Sequence, residues 1–330
     1  MLPVMLLLPC RTSRALDFLA RVRANDCGAA AAATARRFVV GQETLGRVLP
    51  IAAHALSAFP QTFEISDEAV TLRDDPAWSS GGGSASEVDA ALAGSRSAAV
   101  SRVLNALREE GAVPMLRGWR DEAFAVRPSF YAPPRLVVER AAAPLFGLPS
   151  YGCFTNGFVV DRETLKPTHV WLGRRAENKP TWPGLLDCVA AGGIAAGASP
   201  TKAMVEECAE EAGIPREVAR GLTSAGGVSY TGLNEDRWGI KEDVLFVFDL
   251  RLDPSFEPVC TDGEMSEFRL VPIEEVADML ASSEAIFKPN VGVVMIDFLV
   301  RHGFVDPDEE GYVELLGALR SGALCSGKKS

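Results

Sequence analysis

The chain has 330 residues, of which 47% are hydrophobic and 23% are charged, and it carries a formal net charge of −11 with a sequence pI near 5.0. This length is enough for one large or two ordinary globular domains. An acidic surface repels nucleic-acid phosphates, so we expect no nucleic-acid partner. No segment approaches the roughly 20 apolar residues that span a bilayer, so we expect no membrane partner either.

The N terminus is apolar, is interrupted by prolines and is followed by several arginines, with Asp17 the only acid before Asp26. Residues 1–15 are therefore either an organelle-targeting leader or a disordered segment. The seven cysteines are scattered, without a Cys-x-x-Cys pair or a Cys/His cluster. This pattern is typical of reduced thiols inside the cell, and it leaves a cytoplasmic and a plastid or other organelle location open.

Residues 16–149 are predicted to form a smaller N-terminal α+β domain. Residues 16–24 have helical spacing, and the alanine run at 29–33 is expected to be a linker or an insertion. The Ser- and Gly-rich stretch near 79–86 has the composition of a flexible insertion. Further on, apolar residues at helical spacing predict a packed helix that ends near Gly111.

From residue 150 the pattern changes to alternating strand-like and helical segments. Strands are predicted at 155–160, 169–173, 243–250 and 267–271, and helices at 199–212, 273–282 and 290–302. Such a mixture favours an α/β or α+β sandwich. We assign residues 150–305 to this second domain and residues 306–330 to a C-terminal helix and tail.

The segment that begins at Gly192 has the clearest local signals in the chain. Ser199 suits a helix N-cap, Pro200 suits the first helical position, and Gly213 can adopt the left-handed conformation that ends a helix. The glycines before this helix allow its backbone to approach a ligand closely. The segment is therefore predicted to be a glycine loop followed by a well-bounded helix.

Three carboxylates project from one face of this helix, because Glu207, Glu210 and Glu211 are three and four residues apart. They would repel one another without a cation, and clustered carboxylate oxygens suit Mg²⁺ or Mn²⁺. The alternative is that these acids and Glu206 are the solvated face of a surface helix.

Residues 192–214 resemble the Nudix box, whose pattern is G-x5-E-x7-R-E-U-x-E-E-x-G-U with U an aliphatic residue. The matching positions are Gly192, Glu207, Glu210, Glu211, Gly213 and Ile214. Ala198 stands where the box has its first Glu, Glu206 stands where it has an Arg that braces the acids, and Cys208 only approximates the aliphatic position.

This resemblance implies a Nudix α/β/α sandwich with a mixed sheet, preceded by the smaller α+β domain. It also implies a metal-dependent hydrolase of diphosphate bonds. Its metal ligands would be Glu207, Glu211, Glu210 and the Gly192 carbonyl, with a water attacking phosphorus.

The resemblance covers about residues 16–320 and points to a branch associated with thiamine pyrophosphokinase, fused to that kinase in fungi and stand-alone, often plastid, in plants. The branch usually has Val-His where this chain has Cys153-Phe154. The segments that carry the resemblance are 135–140, 146–148, 151–152, 156–157, 182–187, 227–230, 262–264 and 297–303.

The branch implies that the small-molecule partner is a diphosphate, namely thiamine diphosphate or its oxidised or damaged analogues, which are hydrolysed to the monophosphate and phosphate. Two alternatives remain open. One is a Nudix hydrolase of nucleoside diphosphate derivatives such as ADP-ribose or a dinucleotide. The other is a catalytically weak binding module that kept the Nudix fold.

Further side chains are candidates for catalysis and substrate binding. Glu210 and Glu264 are the catalytic candidates, although Glu264 follows an Asp-Gly turn and could be a solvent-exposed turn acid. Arg174, Arg175 and Lys179 could bind phosphates or be ordinary surface residues.

Aromatic side chains could hold the cationic thiazolium ring or the pyrimidine ring. We expect Trp182 and Tyr230 in this role, and Trp238 and Phe154 are also available, although each of the four could instead be a core residue. The histidines are isolated, so we expect them to be structural and not metal ligands.

Overall fold

A computed structural model describes residues 13–75, 84–195 and 197–322, with the side chain of Ala85 left aside. The helices are α1 (Arg14–Asn25), α2 (Ala29–Ala33), α3 (Pro50–Leu56), α4 (Ala85–Glu109), α5 (Pro200–Ala212), α6 (Arg216–Ala219), α7 (Ile273–Ala281), α8 (Pro289–Arg301) and α9 (Tyr312–Ala318). Two 3-10 helices span Pro114–Gly118 and Arg140–Phe146. No helix in these ranges is both long enough and apolar enough to cross a membrane.

The strands of the first part of the chain are β1 (Arg36–Val40), β2 (Glu43–Val48), β3 (Phe63–Ile65), β4 (Ala69–Leu72), β5 (Ala123–Val126) and β6 (Leu136–Glu139). The first four form a sheet in the order β2-β1-β4-β3, and β5 and β6 form a separate hairpin. Helix α4 starts with a capping box formed by Ser84 and Glu87. Phe146 packs against Phe38 of β1 with ring centroids 4.7 Å apart, in a core that β1–β4 share with α3 and α4.

The remaining strands are β7 (Pro149–Val160), β8 (Pro167–Arg175), β9 (Leu186–Asp187), β10 (Ala190–Gly193), β11 (Thr223–Leu233), β12 (Ile240–Arg251) and β13 (Met265–Pro272). The sheet runs β11-β12-β7-β8-β13, and β10 pairs with β7 while β9 pairs with β8. Strands β7 and β12 are parallel and the other pairs are antiparallel, so the sheet is mixed, as expected.

Side chains of this sheet alternate between two apolar layers, since successive strand residues point to opposite faces. On β8, Val170 and Leu172 pack into the layer of α1, α7, α8 and α9, whereas Trp171 packs into the layer of α5 and α6. Helices therefore cover both faces. The predicted α/β/α sandwich, preceded by an N-terminal part with its own sheet and helices, is confirmed.

The structure changes the predicted role of the first residues. Residues 1–12 lie outside the described part, but Ser13 caps α1 and Ala15 is fully buried, so the predicted leader or disordered segment cannot extend to residue 15. Arg21, which contributed to the leader prediction, donates to the carbonyls of Leu280 and Ser282. These contacts make α1 part of the folded protein.

Helix α1 also lies in a different core from the one expected. It was predicted within the N-terminal domain of 16–149, but Phe18 and Val22 are fully buried in the layer of α7, α8 and α9. The division at 149/150 coincides with the start of β7 and stays a prediction. The first helix therefore belongs by packing to the second sheet.

Other boundaries differ in smaller ways. The alanine run predicted to be a linker forms α2, because alanine has the highest helix propensity. Of the predicted insertion near 79–86, residues 79–83 lie outside the described part, and Ser84 already caps α4. The expected C-terminal helix is α9, and residues 323–330 lie outside the described part.

The packing of α1 gives a test. Phe18→Ala is expected to lower the free energy of unfolding by about 3–5 kcal/mol, because it leaves a cavity under the second sheet. Leu16→Ala, on the same helix but at a side chain that is 39% exposed, should cost about 1 kcal/mol or less. Urea denaturation of both variants measures the difference. Equal losses would show that α1 is not part of this core.

Candidate active site

Helix α5 is anchored to the second sheet by its apolar side. The Ser199 hydroxyl accepts a hydrogen bond from the Lys202 N–H at its start, and Gly213 ends it in the left-handed conformation, as predicted. Met204 and Cys208 are fully buried, and the Cys208 thiol lies 3.6 Å from the Thr155 hydroxyl of β7. These contacts fix where the acidic side of the helix lies relative to β10.

Glu207 lies directly against Gly192. A Cβ placed on Gly192 would lie 1.8 Å from Oε1 of Glu207, so any larger residue at this position would displace the Glu207 carboxylate. Glu207 is half-buried, and burial together with the nearby charges of Glu210 and Glu264 raises its pKa. Its carboxylate therefore lies beside the backbone of β10 in an unfavourable environment for its charge.

Glu211 is the most buried of the helix acids, with 3% of its surface exposed. Its Oε2 accepts a hydrogen bond from the Ala191 N–H at 2.8 Å, which joins the helix to β10. Burial, together with the charges of Asp187 and Glu207, raises the pKa of Glu211 to about 9, although the hydrogen bond from Ala191 lowers it. Neither Glu207 nor Glu211 forms an ion pair with a described residue.

Glu264 is brought to the same place from a distant part of the chain. It follows the Asp262-Gly263 turn, and its charge contributes to the raised pKa values of both Glu207 and Glu211. Lys179 holds its carboxylate at 2.7 Å. Glu210 is exposed, so it lies at the rim of this acidic cluster, and its carbonyl accepts a hydrogen bond from the Thr261 hydroxyl.

The donor set fits a hard divalent cation. Within the described ranges, no group of three or more His, Cys, Asp or Glu side chains is arranged to hold an ion by itself. Mg²⁺ commonly binds one or two carboxylates and completes its shell with water and substrate oxygens. Glu207, Glu211 and the Gly192 carbonyl supply oxygen donors of this kind, and the two carboxylates have charge that a cation would compensate.

The two departures from the Nudix box lie away from this cluster. Glu206 is exposed and is paired with Arg216, whose Nε lies 3.0 Å from Oε2 of Glu206, and this pairing lowers the pKa of Glu206. Ala198 is exposed in the loop before α5. The extra negative charge at position 206 is therefore directed to solvent and compensated there.

The basic residues expected to bind phosphate are held by protein groups. Arg174 binds Glu267 and the Gly184 carbonyl, and Lys179 binds Glu264. Arg175 differs most from its predicted role, because it is only 6% exposed and donates to Asp187 and to the carbonyls of Thr181 and Trp182. This geometry makes Arg175 a buried brace of the loop before β9, in place of a phosphate ligand.

The two aromatic candidates are placed differently. Trp182 is half-exposed and has a φ of 55°, a left-handed conformation that is unfavourable for a bulky residue and is held here by Arg175. Tyr230 is 5% exposed in the core beside α1, and its hydroxyl pairs with Asp243. Tyr230 was predicted to contact substrate, but its burial is that of a core residue.

The remaining aromatic candidates, and the histidine His302, make contacts with the protein core or with other side chains. Phe154 is buried in the same core as Tyr230, and Trp238 packs against the core of the first sheet. The His302 Nε2 lies 3.1 Å from Oδ2 of Asp249, which agrees with the structural role expected for this histidine.

The sequence analysis did not single out Asp187. This residue is 1% exposed, and its Oδ2 is 2.8 Å from Nη1 of Arg175 and 3.0 Å from Nζ of Lys288. It lies close enough to Glu211 to raise the pKa of that carboxyl. Its position at the end of the segment 182–187, which carries the family resemblance, could have identified it from the sequence. Its partners Arg175 and Lys288 are brought to it only by folding.

The buried carboxyl of Glu211 gives a second test. Its folded pKa is raised above the unfolded value, so the stability linked to its protonation is present below the unfolded pKa and is lost as pH rises through about 9. Glu211→Gln keeps an oxygen for the Ala191 N–H and cannot ionise. We therefore expect the variant to have a higher Tm than the wild type in EDTA at pH 8.

Addition of Mg²⁺ should raise the Tm of the wild type and raise that of Glu211→Gln much less, since the variant keeps only one of the two carboxylate ligands, Glu207. Differential scanning calorimetry measures both effects. A variant that is less stable in EDTA yet responds to Mg²⁺ as strongly as the wild type would contradict this account of Glu211.

Comparison with known proteins divides the chain into two matched regions. Residues 17–150 match the family model "Domain of unknown function (DUF4743)", and residues 156–291 match the model "NUDIX domain". Nudix hydrolase 20, chloroplastic, of Arabidopsis thaliana is 43% identical over 226 residues, which cover 68% of this chain and 58% of the relative. Nudix hydrolase 24, chloroplastic, of the same organism is 42% identical over 227 residues, which cover 69% and 60%.

An uncharacterized protein of Saccharomyces cerevisiae is 35% identical over 218 residues, which cover 63% of this chain and 62% of the relative. The alignments thus span 58–62% of the length of these three relatives. The acidic cluster lies on β10, α5 and the turn before β13, all within the matched Nudix region. Residues 156–291 therefore match a Nudix domain, and the chain is similar to Nudix hydrolases over about two thirds of its length.

Proposed function

We propose that this protein is a divalent-metal-dependent hydrolase of the diphosphate bond in a small organic diphosphate. The observation that carries the proposal is the pair of carboxylates of Glu207 and Glu211, which burial and mutual repulsion disfavour and which no cationic side chain in the described ranges neutralises. Such a pair beside a glycine carbonyl suits a cation that also binds phosphate oxygens. A solvated helix face would not bury Glu211 to this extent.

The chain's own groups suggest how the reaction would proceed. Glu207, Glu211 and the Gly192 carbonyl would hold Mg²⁺ or Mn²⁺, which when bound supplies charge stabilisation to the phosphoryl group. Glu264 accepts a proton from the attacking water, whose oxygen forms a bond to phosphorus. The bond from that phosphorus to the bridging oxygen breaks, and the monophosphate and phosphate leave. Glu210, at the exposed rim of the cluster, would assist Glu207 and Glu211 in holding the cation.

Thiamine diphosphate, or an oxidised or damaged analogue of it, is the substrate that we propose. Support comes from the segments that resemble the thiamine pyrophosphokinase-associated branch, among them 182–187 and 262–264. Both segments reach the acidic cluster. Asp187 of the first segment and Glu264 of the second lie close enough to Glu211 for their charges to raise its pKa. Trp182, half-exposed in the first segment, is the aromatic face that we assign to the cationic thiazolium ring.

A substrate panel tests the proposal. The full chain is incubated with thiamine diphosphate, oxidised thiamine diphosphate, ADP-ribose and a dinucleotide, each with Mg²⁺ and with EDTA, and product release is measured. We expect Mg²⁺-dependent turnover with kcat/KM highest for a thiamine-type diphosphate. A higher kcat/KM for ADP-ribose or the dinucleotide would show that the substrate is a nucleoside diphosphate derivative and not a thiamine diphosphate. Absence of turnover with every compound would indicate a binding module.

Two neighbouring glutamates on α5 provide a matched pair of variants. Glu207→Gln should lower kcat by at least about 100-fold, because it removes a charged ligand of the cation. Glu206→Gln should leave kcat within about 2-fold, since Glu206 is exposed and pairs with Arg216. Steady-state kinetics on the best substrate of the panel compare them, and equal effects would refute the assignment of Glu207.

Trp182 can be tested without disturbing its backbone. Trp182→Gly removes the ring and suits the positive φ, whereas Trp182→Phe keeps an aromatic face. We expect KM for a thiamine-type substrate to rise about 10-fold in the glycine variant with a smaller change in kcat, and about 3-fold or less in the phenylalanine variant. An unchanged KM in Trp182→Gly would exclude contact between this ring and the substrate.

A further inference from the structure

The β5–β6 hairpin of the DUF4743 region runs beside the glycine loop of the Nudix domain. Arg127 directly follows β5 and Arg140 directly follows β6, so they lie at opposite ends of the hairpin, since Val126 pairs with Leu136 and Ala123 with Glu139. A Cβ placed on Gly193 would lie 2.5 Å from Nη2 of Arg140. One placed on Gly197 would lie 3.2 Å from Nη1 of Arg127. One guanidinium thus lies beside each of these two glycines.

This contact is next to the acidic cluster. Gly192 and Gly193 are successive residues at the end of β10. The space beside Gly192 is filled by the Glu207 carboxylate, and the space beside Gly193 is filled by the Arg140 guanidinium. Because successive strand residues point to opposite faces, the carboxylate and the guanidinium lie on opposite sides of the end of β10. A diphosphate that extends from the acidic cluster past the end of this strand would meet the positive charge of the DUF4743 region.

Arg127 has unused hydrogen-bonding capacity. Its Nη1 donates to the Ala132 carbonyl at 2.6 Å, but its buried Nε has no hydrogen-bond partner among the described residues. Arg127 also forms no ion pair within those residues, whereas Arg140 pairs with Glu122 of its own domain. An unpartnered buried donor is costly, so a rearrangement of the Arg127 side chain around an anion would relieve this cost.

The Nudix domain's own cations near the acidic cluster are already paired. Arg175 and Lys288 bind Asp187, Arg174 binds Glu267, and Lys179 binds Glu264. One divalent cation balances only the charges of the Glu207 and Glu211 carboxylates, so additional positive charge would favour binding of a diphosphate. The hairpin offers it first at Arg127, which forms no ion pair among the described residues, and then at Arg140, whose pair with Glu122 is partly exposed.

Aromatic packing holds the hairpin in this place. Phe130, in the connection between β5 and β6, lies with its ring centroid 4.6 Å from that of Tyr151 on β7 and 5.4 Å from that of Phe246 on β12. These rings join the hairpin to β7, the central strand of the five, and to its neighbour β12. The positions of Arg127 and Arg140 are therefore set by a packed interface.

We propose that Arg127 and Arg140 bind a phosphate or diphosphate group of the substrate, so that the DUF4743 region forms one wall of the substrate site. The inference rests on the proposed function for the identity of the substrate, but binding of an anion at the loop can be measured without turnover. The ligand class is a magnesium-complexed phosphate or diphosphate. Arginine suits it because its planar donors match phosphate oxygens.

The test measures binding of inorganic pyrophosphate to the full chain in the presence of Mg²⁺ by isothermal titration calorimetry. Arg127→Ala and Arg140→Ala are expected to weaken binding about 10-fold each, because each loses a charge-assisted hydrogen bond. Arg127→Lys, which keeps the charge, should recover part of that loss. Arg73→Ala removes an exposed arginine paired with Glu64 in the same domain and should leave affinity unchanged.

Circular dichroism of each variant checks that the fold is kept. If Arg127→Ala does not fold, the affinity of Arg127→Lys for pyrophosphate is compared with that of the wild type instead. Wild-type affinity in both alanine variants, or no binding of pyrophosphate by the wild type, would overturn the inference. With an active substrate, the alanine variants should raise KM more than they lower kcat. Weaker pyrophosphate binding in a chain without turnover would support the arginine site while rejecting the proposed function.

Discussion

The hydrogen bond from the Ala191 N–H to the Glu211 carboxyl joins helix α5 to β10, and the candidate site depends on this connection. It holds an acid at 3% exposure beside the half-buried Glu207, in surroundings that raise the pKa of both carboxyls. Burying such charges is unfavourable unless they are neutralised. The apolar side of the helix, with Met204 and Cys208 fully buried, keeps them in place.

Asp187 connects this helix to the neighbouring loop. Its carboxylate is bound by Arg175 and Lys288, and Arg175 in turn holds the carbonyl of Trp182, whose backbone is in the left-handed region. A strained residue of this kind persists only when its surroundings determine its conformation. The position of the half-exposed Trp182 ring is thus linked, through two ion-paired side chains, to the acidic cluster.

Much of the fold followed from local patterns. The bounds of α5 were predictable because Ser199, Pro200 and Gly213 act on the backbone within one turn, and the four strands predicted in the second domain lie inside longer observed strands. Strand β11 was not predicted, because its Gly- and Ser-rich sequence carries little apolar alternation. Helix α1 was predicted as a helix, but its partners α7, α8 and α9 are more than two hundred residues away.

The sequence by itself determined that α5 would form and that Glu207, Glu210 and Glu211 would share one side of it, because helix caps and helical periodicity act over a few residues. Only the tertiary structure decided that Glu211 is buried while Glu210 is exposed, that Glu264 joins them, that Arg175 braces a loop and that Tyr230 lies in the core. It also decided that Arg127 and Arg140 meet the glycine loop. Burial and charge pairing depend on which distant segments pack together, and residue spacing along the chain does not encode that choice.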